Sequence, residues 1–176
     1  MKLPEAKIEL AADPDTLNAV KLDVEHKRIM ATNGYILAVL PCEVSPEDHS
    51  ALISLESIKQ MRAMQKRAKS VPIEIRTNGK AVVTGPGESA EFELTTGQFP
   101  NVDMVIPKGE AYDGPCTIAF NVDLLMRLAK ALQSDCCKDR PPLVKLWIKD
   151  KQSSILVKAC SNSDQENIGV LMPCRS

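Results

Sequence analysis

Lys59, Arg62, Lys66 and Lys69 follow one another at steps of three and four residues, and Arg127 and Lys130 repeat the step of three farther along. At about 100° per residue the first four fall within about 80° of arc on a helix. Ile58, Met61, Met64 and Ala68 make its apolar side. The chemistry open to such a stripe is attraction of a polyanion, because lysine and arginine neutralise phosphates without reading a base sequence. The span 54–69 sums to +4 and 121–133 to +1, so with a net charge of −1 the remainder carries −6. A merely solvated helix face would use the same residues, and the stripe alone leaves both readings open.

Covalent and acid–base chemistry are poorly provided for. His26 falls in a hairpin turn and His49 in a polar loop, and no motif pairs either with a nucleophile. No glycine-rich phosphate loop opens a helix, and the acids are scattered. Of Cys42, Cys116, Cys136, Cys137, Cys160 and Cys174 only the 136–137 pair is close, and none has CxxC spacing. Such a pair could be redox-active or bind metal with His49, but neighbouring cysteines are more often incidental. The expectation is a protein that is not an enzyme and uses no cofactor or metal.

The elements that must position the basic residues fit into 176 residues, enough for one large domain or up to two small ones. Apolar residues at 44% and charged residues at 26% suit a globular chain and exclude a disordered one. One Trp, two Tyr and three Phe are too few for base stacking to be the main mode of nucleic-acid recognition. No window approaches a membrane span, and Met1-Lys2-Leu3-Pro4-Glu5 does not open like a signal peptide. The expected location is cytoplasmic, with reduced cysteines.

Alternation predicts strands at 6–11, 19–24, 28–32 and 35–40, with Asn33-Gly34 turning the last pair. Ser54 is set to cap a helix running to about Lys69. Strands at 73–76, 81–84 and 90–95 follow, then an irregular connector from Phe99 to Pro115. A strand at 116–120 precedes a helix that Asn121 caps and that ends near Gln133. A hairpin over 143–149 and 153–159 and a final strand at 168–172 complete the chain. The order repeats as three related modules, the first without a helix. The expected class is α+β, with helices on one face of antiparallel sheets.

Four short stretches resemble one family in the required order. Ala31-Thr32-Asn33-Gly34-Tyr35-Ile36-Leu37-Ala38 is similar to the Ala-Thr-Asp-Gly-His-Arg-Leu-Ala stretch of bacterial DNA polymerase sliding clamps. Gly97-Gln98-Phe99-Pro100-Asn101-Val102-Asp103-Met104-Val105-Ile106-Pro107 resembles their Gly-x-Phe-Pro-Asp-Tyr-x-x-Val-Ile/Leu-Pro connector. Phe120-Asn121-Val122 fits the start of the last clamp helix, and Val170-Leu171-Met172-Pro173-Cys174-Arg175 resembles the clamp C-terminus.

The resemblance implies a DNA-clamp-like fold, with residues 1–107 forming a two-module domain and 108–176 a half domain. It would turn Lys59, Arg62, Lys66, Lys69, Arg127 and Lys130 toward double-stranded DNA, bound without sequence preference. It also implies an apolar pocket for short peptides of a polymerase or other client, involving Thr32, Gly34, Tyr35, Leu37, Pro107, Val170, Met172, Pro173 and Arg175. The expected function is a processivity factor in DNA replication, a homo-oligomer tethering its client to DNA. The alternative is a clamp-fold binding module that does not encircle DNA and regulates or decoys replication proteins through the same pocket. Asn33 and Ile36 depart from the family's usual Asp and Arg. Three modules per chain would need about four chains to complete a ring of clamp size, although an open or smaller assembly fits as well.

Overall fold

The computed structural model describes residues 1, 3–4, 6–13, 17–68, 73–75, 80–85, 88–107, 118–133, 142–150, 152–159 and 167–174. Ten strands form one antiparallel sheet: β1 (Ala19–Asp23), β2 (Arg28–Thr32), β3 (Ile36–Pro41), β4 (Ala51–Ser54), β5 (Ile73–Ile75), β6 (Lys80–Gly85), β7 (Glu88–Thr95), β8 (Val144–Trp147), β9 (Ile155–Ala159) and β10 (Ile168–Leu171). Their order across the sheet is β5-β6-β7-β4-β1-β2-β3-β10-β9-β8. Two helices, α1 (Leu55–Ala68) and α2 (Val122–Leu132), pack on one face. The sheet runs unbroken from β3 to β10, so strands from both sides of residue 107 share one ladder.

Period-2 burial explains the two faces. In β3, Ile36, Ala38 and Leu40 join the main core under the helices, whereas Leu37 and Val39 belong to a second apolar cluster on the opposite, outer face. The main core is filled by wholly buried Ile29, Ile53, Ile58, Met61 and Leu128, each contributing about 1.5–3 kcal/mol by burial. Gly169 lets α2 sit close, because a Cβ there would lie 2.7 Å from Leu128 Cδ1 and 3.0 Å from the Leu37 carbonyl. Cys42 is buried in this core, and burial pushes its thiol up to about 11.

Both helix starts follow the expected chemistry. Ser54 Oγ accepts the Ser57 amide at 3.1 Å, and Asn121 Oδ1 accepts the amides of Asp123 and Leu124. Three expectations change. Ala51–Ser54, where the sequence predicts no strand and Ser54 only as the helix cap, is a strand between β1 and β7, too short to show a period. The expected strand over 6–11 is instead a 3-10 turn at Ile8–Ala11, touching α1, α2, β2 and β3. Of the expected strand at 116–120, residues 116 and 117 lie outside the described residues, and the rest makes only an isolated bridge between Ala119 and Cys174.

Among the described residues, no helix is long and apolar enough to cross a membrane, and no group of three His, Cys, Asp or Glu could hold a metal ion. Cys136 and Cys137 lie outside them.

Candidate partner-binding cleft and basic helix face

The β2–β3 turn adjoins Met172, which lines the cleft. Asn33 Oδ1 accepts the amides of Tyr35 and Ile36 at 3.0 and 2.9 Å, and Gly34 adopts φ +87°. The Thr32 hydroxyl donates to the Ile36 carbonyl at 2.7 Å and accepts the Gly34 amide at 3.1 Å. Val170 pairs with Leu37, and the Met172 amide donates to the Tyr35 carbonyl at 3.0 Å. This register turns Tyr35, Leu37, Val170 and Met172 to the outer face. Leu37 and Val170 are buried there, while Tyr35 and Met172 are 64% and 41% exposed.

The connector forms one wall of the cleft. Phe99, Val102 and Ile106 pack on Met30, Leu37, Val39 and Val170, and Lys21 Nζ lies 5.7 Å from the centroid of the Phe99 ring. Arg28 fixes the next turn, donating to both carboxylate oxygens of Asp103 at 2.7 and 3.0 Å and to Asp23 at 2.9 Å. The Ser154 hydroxyl donates to the Val105 carbonyl at 2.8 Å, tying the connector to the loop before β9. Held this way, the connector leaves Met104 and Val105 exposed. They border a cleft of about 540 Å³ lined also by Asp103, Ile106, Pro107, Lys149, Ser153, Ser154 and Met172.

Two of the expected pocket residues, Pro107 and Met172, line this cleft. Leu37 and Val170 form the apolar layer beneath the connector, and Thr32 and Gly34 shape the turn. Pro173 follows Met172 and is half-buried, whereas Arg175 lies outside the described residues. Sequence reasoning missed Arg28, Lys149, Ser153 and Ser154. Arg28 meets Asp103 across 75 positions, and no local pattern signals such a pair.

The helix face is divided by function. Lys59 and Lys66 on α1 and Lys130 on α2 are exposed; Lys69 lies outside the described residues. Arg62 and Arg127, expected to be solvent-facing like them, are not. Arg62 is 12% exposed and donates to the carbonyls of Pro4 and Ala6 and to Glu9 Oε2 at 2.9–3.0 Å. Arg127 donates to the carbonyls of Leu10 and Ala12. Each arginine sits four residues, about 40° of arc, from a wholly buried neighbour, Ile58 or Ala131, at the edge of the apolar side.

No protein-family model matches the sequence, and a search of curated proteins gave no match. Solved structures are similar in fold. The DNA polymerase III beta subunit of Thermotoga maritima aligns with a TM-score of 0.75 at 16% identity, over 97% of this chain and 62% of that one. A DNA polymerase sliding clamp from Pseudomonas aeruginosa gives 0.75 at 18% identity, over 100% and 66%. A sliding clamp from Bartonella birtlesii bound to griselimycin gives 0.74 at 17% identity, over 97% and 63%. The chain therefore has the α+β fold of the bacterial DNA sliding clamps, and it spans just under two thirds of the length of these structures.

Proposed function

We propose that this chain acts as a sliding-clamp-like processivity factor, a non-enzymatic adaptor that holds a polymerase or another client on duplex DNA. The observation that carries the reading is the division of one sheet into two faces. Exposed Lys59, Lys66 and Lys130 stand on the helix side, and the connector cleft opens on the other. A cationic face without base-reading geometry suits a duplex that must slide, because phosphate contacts attract without fixing a register. A cleft whose lining joins apolar Met104, Val105 and Met172 to polar Lys149, Ser153 and Ser154 suits a short extended peptide. With the two on opposite faces, one molecule can engage both at once.

The capture of Arg62 and Arg127 by the N-terminal segment favours the second reading, a clamp-fold module that works through its cleft alone. It removes two cations from the helix face. Fluorescence anisotropy with a labelled blunt duplex separates the two readings. The clamp reading expects weak binding that falls steeply with salt and is lost in K59E/K66E/K130E, whose circular dichroism stays native. No duplex binding at low salt, or unchanged binding in the triple variant, overturns it in favour of the module.

A further inference from the structure

The outer face does not end at the cleft. Register places Leu37, Val170, Leu156 and Trp147 side by side across β3, β10, β9 and β8, so one row leads from the covered apolar cluster to the edge strand. Along β8 and just past it the exposed positions alternate as Lys145, Trp147 and Lys149. Lys149 lines the cleft. Trp147, the chain's one tryptophan, is 40% exposed, and Lys158 Nζ lies 5.4 Å from the centroid of its ring. Among the described residues, two nearby carboxylates are already hydrogen-bonded. Asp150 accepts the amides of Gln152 and Ser153 and the Ser153 hydroxyl, and Asp103 holds Arg28.

We infer that this aromatic and cationic shelf extends the cleft and selects clients whose apolar anchor is flanked by acidic residues. The inference rests on reading the cleft as a peptide site. An extended chain leaving the cleft past Lys149 would cover the Trp147 ring with its stem atoms and set carboxylates against Lys145 and Lys149. Charge complementarity thus chooses the occupant, and the exposed ring supplies contact area. A single nucleic-acid strand also likes lysine beside an aromatic ring. It would, however, find no use for the apolar walls of Met104, Val105 and Met172 that adjoin the shelf.

Because Trp147 is the chain's single tryptophan, its emission reports this shelf without a label on the protein. The probes are two nonapeptides with a Leu-Leu-Phe centre, one flanked on both sides by Glu-Asp-Glu and one by Gln-Asn-Gln, and a short oligo-dT strand. The acid-flanked peptide should bind roughly tenfold tighter than the neutral one and shift Trp147 emission. In K145Q, at a position outside the cleft lining, that advantage should shrink while the neutral peptide binds as before. Equal affinities for the two peptides in the unaltered protein overturn the inference and leave the cleft reading standing. Failure of both peptides to bind overturns the two together. A Trp147 response to oligo-dT without one to the acid-flanked peptide overturns the inference in favour of a nucleic-acid shelf.

Discussion

Arg62 of α1 and Arg127 of α2 close on the same stretch of chain from two different helices, Arg62 on Pro4 and Ala6, Arg127 on Leu10 and Ala12. Between them the 3-10 turn at Ile8–Ala11 buries Ile8 and Ala11 in the main core. Among the described residues the stretch before β4 carries no α-helix, and this strap, held by α1 and α2, covers part of the sheet. Two residues that a helical wheel assigns to a ligand are spent on architecture.

Replacing Arg62 by Ala should therefore cost stability, about 2–4 kcal/mol, since it strands Glu9, 10% exposed, beside two carbonyls that lose their donor. Lys59→Ala, at an exposed position, should stay within about 0.5 kcal/mol. Urea unfolding midpoints compared at constant slope check both. Equal midpoints for the two variants would mean that the strap contributes little.

Gly169→Ala tests how closely α2 seats on the sheet. The added Cβ meets Leu128 at 2.7 Å and the Leu37 carbonyl at 3.0 Å, and backbone gives way less readily than a side-chain tip. A loss of about 1–3 kcal/mol is expected, read as a drop in melting temperature. An unchanged melting temperature would show that Leu128 has room to swing aside.

Asp23 gives the fold an acid-sensitive point. Burial pushes its carboxyl up, but hydrogen bonds from Arg28 and His26 outweigh that and hold it below its ordinary value of 3.8. A carboxyl depressed in the folded state adds stability that is fully present above the unfolded pKa and is lost as pH falls through the folded one. Asp23→Asn should therefore be less stable than the parent at neutral pH, and the gap should narrow below about pH 4. Denaturant midpoints at pH 7 and pH 3 measure it, and a gap independent of pH would contradict the assignment.

Met172→Glu and Tyr35→Glu should abolish binding of a labelled Leu-Leu-Phe peptide while costing little thermal stability, because Tyr35 is mostly exposed and Met172 partly so. Retained peptide binding in the double variant, followed by anisotropy, would remove the outer-face cleft as the client site.

Much of this architecture was legible in the residues. Strands with clean alternation and an adjoining turn, such as 28–32 and 36–41, could be read directly, and Ser54 and Asn121 marked both helix starts. The four residues of β4 gave no period to read, and its place between β1 and β7 is fixed by partners far along the chain. The strap at Ile8–Ala11 looked like a strand because its apolar spacing is too short to separate a 3-10 turn from weak alternation. At the cleft, Met172 and Pro107 came from local motifs. Arg28, Ser154 and Lys149 came only with the tertiary fold, which brings the connector onto the sheet.

The central claim is a clamp that encloses DNA, and the one sheet and two α-helices among the described residues would need further copies to surround a duplex. Light scattering behind size exclusion, run over a concentration series, tests this most directly. A closed multimer that persists on dilution, about four chains by the count of modules, is the predicted result. A monomer at every concentration would contradict it and leave the module that works through its cleft.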